Sequence, residues 1–389
     1  MKSHSLGILT NIDANHGSCI FNFSLNQMLQ NSLPDHEISF LNYLTPSWYA
    51  YEILRTVKPQ PKIPLYNLKR YIRLMRDSNE LLNIEPFFSF GQQNYQQLMK
   101  ELESRQKDAL VVGKVVWDIA KIWQTPTFPN VFWLSEELTA VKMAYAVSAH
   151  RTDMTLFHQH KEEVLRILSS YAMIGVRDDI TLRIMQEAGV DQHTTVQKVL
   201  DPAFFYQPRP VDTRALLAKH GIDVDRPILG MLFYGKPELS KAICDHYHHR
   251  GFQIINFNMY NPFVDLNLGH LVNAVEWAAL FDEMDFCITD RFHCSIFCIR
   301  AGIPFVGIEP YKPLTQDNSK VRHILNDFDL SDCYQNTLAD DFDQNAFFET
   351  CQYIEDHWDV NHVPRIKKLL PQKMKDSEMF LQEMADRLV

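Results

Sequence analysis

Short apolar runs of strand length, each closed by a polar or basic residue and followed by a stretch of helical spacing, recur along most of this chain. "SLGILT" is the first; the polar loop "NIDANHG", the helical pattern "SCIFNFSLNQMLQNSL" and a second apolar run, "HEISFLNYL", follow it. That order predicts strand, helix, strand. The helix "NYQQLMKELESR" then leads to "DALVVG", "NVFWL" and "VKMAYAVSA", all read as strands, and to the helix "HKEEVLRILSSY", the strand "AMIGVR", the helix "DDITLRIMQEAG" and the short strand "QKVLDPAF". From Phe205 to Arg226 the pattern lapses, with Pro208, Pro210 and Pro227 bracketing a short helix. Beyond it the alternation restarts: strands "PILGMLFYG", "FQIINF", "DFCITD" and "IPFVGIEP", separated by helices "PELSKAICDHYHHRG", "AVEWAALFDEM" and "HCSIFCIRAG" and followed by "SKVRHILNDF".

Strands that alternate with helices need crossover connections, so the expected class is α/β with parallel sheets covered on both faces. Two doubly wound Rossmann-like domains facing a cleft, a GT-B-like architecture, account for the two halves. The boundaries read from the pattern are residues 1–205 for the first domain, 206–226 for a hinge, 227–335 for the second domain and 336–389 for a charged helical tail. That tail has no strand to add, so it is expected to pack outside the sheets or to return toward the first domain.

The length, 389 residues, suffices for two ordinary cores, and 46% hydrophobic residues is a globular composition. No run of about 18 uncharged apolar residues occurs, and the N-terminal apolar segment is too short for a secretory signal. A cytoplasmic location is expected, with at most peripheral contact with the inner face of a membrane. Seven scattered cysteines, an odd number, argue for reduced thiols. Cys294 and Cys298 share a helix face, and "FHQHK" and "DHYHHRG" are histidine-rich, but none has a partner at ligand spacing; no metal is expected. A net charge of -10 argues against nucleic acid as a partner. Against that balance, residues 55–76 carry seven Lys or Arg and no acid. The segment reads either as a solvated connection or as a basic arm beside a cleft that receives an anion.

Ligands of such folds bind beyond the carboxyl ends of strands, where helix N-termini favour anions. Four junctions of that kind carry chemistry. Arg291 and His293 follow "DFCITD" and open a helix; Arg177 ends "AMIGVR"; His150 and Arg151 follow "VKMAYAVSA"; Asp13, Asn15 and His16 lie between the first strand and first helix. Lys320 opens the last helix of the alternating region. An Arg at a strand exit can clamp a phosphate or carboxylate, and a neighbouring His can move a proton near neutral pH. The spacing equally allows Arg291 to pair with Asp290 or Asp285, His293 to cap its helix, and Arg177 to pair with Asp178 or Asp179.

"DFCITDRFHCSIFCIRAGIPFVGI", "SKVRHILNDFDL", "LGILTNIDANHGSCIFNFSLNQML" and "YAMIGVRDDITLRIMQEAGV" resemble the motifs of polysaccharide pyruvyl transferases, over about residues 5 to 332. The resemblance implies an enzyme of exopolysaccharide biosynthesis that uses phosphoenolpyruvate as donor, with no further cofactor, and a saccharide or lipid-linked saccharide as acceptor. By it, His293 would be the acid and Lys320 would assist with charge. A donor carrying both phosphate and carboxylate needs at least two cations, so Arg177 and Arg291, with Lys320, are read as holding it. Arg291 also stands beside His293 in the chemistry, and the strand-exit residues Asp13, Asn15, His16, His150 and Arg151 are read as acceptor or cleft loops. The chain departs from the family pattern at Gly113-Lys114-Val115-Val116-Trp117, at His16 and at Cys294. Two other readings stay open: a nucleotide-sugar glycosyltransferase in which Arg291 and Lys320 hold a diphosphate, and a non-catalytic anion or sugar binder.

Overall fold

The computed structural model describes residues 4–43, 46–86, 94–121, 128–233, 237–309 and 319–388. The first half runs β1 (His4–Thr10), α1 (His16–Ser32), β2 (His36–Asn42), α2 (Pro46–Val57), α3 (Tyr66–Leu81), β3 (Ile84–Pro86), α4 (Tyr95–Ser104), β4 (Ala109–Val115), β5 (Val141–Ser148), α5 (Met154–Leu168), β6 (Met173–Val176), α6 (Asp179–Ala188) and β7 (Thr195–Lys198). Its strands form one parallel sheet in the order β3-β2-β1-β4-β5-β6-β7. The second half runs α7 (Thr213–Lys219), β8 (Ile228–Leu232), α8 (Pro237–His249), β9 (Gln253–Asn256), β10 (Leu266–Asn267), α9 (Ala274–Ala279), β11 (Phe286–Thr289), α10 (Phe292–Ala301), β12 (Phe305–Ile308), α11 (Lys320–Asp327), β13 (Tyr334–Gln335), α12 (Gln344–His357) and α13 (Val363–Asp386). These strands form a second parallel sheet, β10-β9-β8-β11-β12-β13.

The central strands β1, β4, β5, β8 and β11 are buried along nearly their whole length, which is why they read as unbroken apolar runs. Both sheets reverse their strand order beside the first strand of the half, as in a Rossmann fold.

Three expectations need correction. "NVFWL" is not a strand: residues 130–134 form turns and irregular backbone. They are buried because Trp133 stacks on Trp117 at 5.2 Å and Trp117 Nε1 donates to the Phe132 carbonyl at 2.7 Å. Since β4 already pairs with β5, this apolar run covers the sheet and does not join it. The strands β3, β10 and β13, each two or three residues long, were too short to show a period. Residues 55–76 are not a solvated connection either. They comprise the end of α2 and most of α3, with Arg70 buried.

After β7 the chain crosses to the second sheet, and Arg300 of α10 holds that crossing by donating to the carbonyls of Ala203 (2.7 Å) and Tyr206 (2.5 Å). The tail then returns. α12 lies on the second half, where Arg250 forks onto Glu355 at 2.8 and 2.9 Å. A π-helical turn over Trp358–His362 leads into α13, which packs on the first sheet: Ser377 Oγ accepts from the Leu200 amide at 2.8 Å and Phe380 lies against Gly175.

Candidate active site

The two strand-order reversals fall between β1 and β4 and between β8 and β11, and the segments that follow β1 and β11 meet across the seam between the sheets. His293, in the first turn of α10, lies directly on Gly17 at the start of α1; a Cβ on Gly17 would fall 2.5 Å from His293 Nδ1. Only glycine permits that approach. Burial, and then the charges of Arg177, Lys114 and Lys320, hold the His293 imidazole well below the ordinary histidine value. It is neutral in the free site. His293 Nε2 lies 3.8 Å from the Asp201 carboxylate. The helix-capping alternative for His293 is not seen, because Arg291 occupies the N-cap position of α10.

Arg177 leaves β6, and its Nη1 donates to Asp201 Oδ2 at 2.9 Å with both side chains buried. Its guanidinium also lies 4.5 Å from the centroid of the Phe292 ring, so it reaches the second half of the molecule. The neighbouring aspartates are engaged elsewhere: Asp178 caps α6 by accepting from the Thr181 amide, and Asp179 binds Lys198. Asp201 just follows β7, so this pair joins the exits of adjacent parallel strands. Burial pushes the Asp201 carboxyl up, against the pull of Arg177.

Arg291 takes one of its sequence-allowed pairings, with Nε 2.6 Å from Asp290 Oδ1, while Asp285 accepts from the Ile228 amide. Lys320 is the first residue of α11 and makes no ion pair among the described residues. Burial, then Arg177 and Arg151, bring its ammonium down to about 7, with Asp118 opposing. His150 is buried with Nδ1 3.1 Å from Ser148 Oγ, and burial followed by Lys320, Arg151 and Arg177 keeps it neutral. Arg151 grips Asp118 through Nε at 2.8 Å and Nη2 at 2.7 Å.

Of the loop after β1, Asn15 caps α1 by accepting from the Ser18 amide at 3.2 Å. Asp13 pairs with Lys114 at 3.0 Å; burial would raise its carboxyl, but Lys114, Ser18 and Arg55 together lower it. His16 is a seam residue. It is buried, stacked on Trp277 at 5.8 Å, with Nε2 3.4 Å from the Val272 carbonyl, and burial followed by Arg70 keeps it neutral.

Two cations here escaped the sequence reading. Lys114 sits at a β-bulge where the β4–β5 register shifts, in the left-handed region at φ 83°, and its Nζ donates to the Asn11 carbonyl at 2.7 Å. A non-glycine residue held there re-aims its side chain toward the β1 exit. Arg70 lies on the inner face of α3 with Tyr66, Leu74 and Asp77; its Nε is buried without a partner, and burial followed by Arg55 lowers the guanidinium to about 10, with Arg291 adding to the effect. The spacing 66, 70, 74, 77 was the available signal. Arg177, Lys114 and Lys320 thus act on His293, Arg291 acts on Lys320, and Arg291 in turn acts on Arg70. The histidine clusters lie outside this set: His158 pairs with Glu187, His248 with Asp265, and His246 stacks on Phe348.

No curated protein is significantly similar to the chain. Among solved structures, a UGT2 from Phytolacca americana complexed with UDP-2-fluoroglucose and pterostilbene aligns at TM-score 0.55 and 10% identity, covering 99% of each chain. A putative UDP-N-acetylglucosamine 2-epimerase from Listeria monocytogenes aligns at TM-score 0.54 and 9% identity, over 97% of this chain and 94% of that one. S. aureus MnaA with UDP aligns at 0.53 and 11%, over 98% and 94%. These likenesses establish the fold, two Rossmann-like domains of the GT-B type. The family model for polysaccharide pyruvyl transferase matches residues 15–311, a span that takes in Gly17, Lys114, Arg177, Asp201 and the Arg291–His293 junction. With well over half of its length so matched, the chain belongs to the polysaccharide pyruvyl transferase family.

Proposed function

We propose that the protein transfers the enolpyruvyl unit of phosphoenolpyruvate to two hydroxyls of a saccharide or lipid-linked saccharide, forming a pyruvate ketal and releasing phosphate. The observation that carries this reading is the pair Arg70 and Lys320. Neither makes an ion pair among the described residues, and both have their charge disfavoured by burial and further by the charge of Arg291. Phosphoenolpyruvate brings a phosphate and a carboxylate on one small frame, and each would relieve one of these desolvated cations.

In the proposed reaction, carbon 2 of the donor forms bonds to both acceptor oxygens and loses its bond to phosphate oxygen. Of the two hydroxyl protons, one ends on the former methylene carbon and the other on phosphate. His293 is the group proposed to hand on a proton as positive charge develops at carbon 2, and Lys320 and Arg291 would stabilise the departing phosphate. Burial first, and then Arg177, Lys114 and Lys320, keep His293 neutral; an anion among these cations would offset their repulsion and raise the imidazole toward its protonated form. Arg70→Gln and Arg291→Gln should each weaken phosphoenolpyruvate binding by roughly tenfold to a hundredfold, read by calorimetry.

Binding should also take up protons. Lys320 sits at about 7 in the free site and an anion raises it, so above that pH a proton must come from solution. Affinity is therefore expected to fall as pH rises through 7, by up to about tenfold per unit for each proton taken up. Calorimetry in buffers of different ionisation enthalpy measures that number; a value of zero well above pH 7 removes both the coupling and the assigned ligand charge.

The decisive test is incubation with phosphoenolpyruvate and a panel of oligosaccharides, with mass spectrometry for the ketal and an assay for phosphate. Ketal with matching phosphate is the expected result. Stabilisation by UDP and not by phosphoenolpyruvate would favour the glycosyltransferase reading, since fold neighbours are solved with UDP. Stabilisation by phosphoenolpyruvate without turnover on any acceptor would favour a binder.

A further inference from the structure

A helix at the surface of a folded domain ordinarily turns its apolar stripe inward. α2 and α3 do otherwise. α2 exposes Ala50, Ile53, Leu54 and Val57, spaced as one helical face, and α3 with its preceding residue exposes Leu65, Leu68 and Ile72. Leu54 and Val57 are each 66% exposed, Ile72 57% and Leu65 56%. Of the ten large hydrophobic side chains exposed among the described residues, six lie on these two helices and the turn between them, which makes them a patch and not scatter.

The charge around this patch has one sign. Lys58, Lys62 and Lys69 are exposed beside it, as is Arg76, and no acid lies between Arg55 and Arg76 in a chain of net charge -10. The acids nearest in sequence are accounted for: Glu52 is buried against Arg55, Asp77 is buried and accepts from the Ala274 amide, and Glu80 lies 3.8 Å from Arg76. The two faces of α3 have separate occupations, since its inner face carries Arg70 toward the active site.

We propose that the α2–α3 hairpin is a docking surface for an anionic lipid membrane. Ile53, Leu54, Val57, Leu65 and Ile72 enter the boundary between headgroups and acyl chains, and the flanking lysines bind lipid phosphates. The composition selects this occupant. Aliphatic tips fringed by basic side chains fit an anionic interface, whereas the anchors of protein interfaces are chiefly aromatic and arginine. A second copy meeting this face by a two-fold axis would set the basic fringes against each other. The contact is peripheral, because no described helix is long and apolar enough to cross a membrane. If the transferase reading holds, docking sets α3, whose inner face carries Arg70 toward the active site, against the lipid surface where a lipid-linked acceptor would be presented.

Docking requires neither donor nor acceptor, so it is tested on the full chain alone. Co-sedimentation with vesicles of mixed phosphatidylglycerol and phosphatidylcholine should exceed that with pure phosphatidylcholine vesicles by at least about tenfold, and should decline with salt. The double variant Leu54→Glu/Ile72→Glu should lose about tenfold or more of that partition while keeping the native thermal melt, since both positions are exposed. Lys58→Glu/Lys69→Glu should lower binding to the anionic vesicles and leave the neutral ones unchanged. Equal binding to both vesicle types, no sedimentation, or a Leu54→Glu/Ile72→Glu variant that sediments like the native chain overturns the proposal. A native dimer that this variant converts to monomer would assign the face to a second copy instead. Phosphoenolpyruvate binding by the same variants reads the active site independently.

Discussion

His293→Ala is expected to reduce turnover by about 10²-fold or more while phosphoenolpyruvate affinity stays within a few-fold of native. Removing a neutral imidazole takes no charge from the free site, since burial, and then Arg177, Lys114 and Lys320, already hold His293 unprotonated. What disappears is the group that acquires a proton when the donor arrives. The two effects separate in the assay: the single-turnover rate should collapse and lose its pH dependence, and calorimetry should record less proton uptake. Gly17→Ala offers a second route to the same position, because its Cβ would force the ring away without deleting it. Turnover should fall there too, with the imidazole still present. Near-native turnover in a folded His293→Ala protein would remove His293 from the chemistry.

Arg177→Gln is expected to cost stability as well as affinity. The Asp201 side chain it pairs with is fully buried, and breaking a buried ion pair by deleting one member typically costs about 3–5 kcal/mol. The carboxylate, already pushed up by burial, would be left to protonate or to draw in water. Arg177→Gln/Asp201→Asn should recover most of the lost melting temperature, because both charges go together. Its phosphoenolpyruvate affinity should remain down by about tenfold or more if the guanidinium also contacts the donor. Native affinity in the recovered double variant would make Arg177 a structural partner of Asp201 alone.

Which parts of this molecule could be read from its sequence follows from the range of the forces involved. β1, β4, β5, β8 and β11 are covered on both faces, so burial writes an unbroken apolar run into each. The same rule misread "NVFWL", because an apolar run reports burial and not pairing. Arg177, Arg291 and Lys320 were visible as cations at strand exits or helix starts, which chain order alone defines. Asp201 is also at a strand exit, yet its link to Arg177 depends on β6 and β7 being neighbours. Lys114 depends on a local bulge with no compositional signature. Arg70 was obscured by being counted with the seven basic residues of 55–76; their summed charge hides that α3 turns Arg70 inward and Lys69 outward.

The chain passes between the two sheets twice, once after β7 and again through the π-helical turn at Trp358–His362. A body tethered to another at a single point can swing in any direction. Tethered at two, it keeps one easy motion, rotation about the line through both points. Separation of His293 from Gly17 would then resemble a door on two pins, and entry would be widest on the side farthest from them. The turn at Trp358–His362 is the second pin, and α13 beyond it is anchored through Ser377 to Leu200. Cutting the chain before α13 would leave the door on one, free to twist as well as to open, and the register between Gly17 and His293 would no longer be set by the fold.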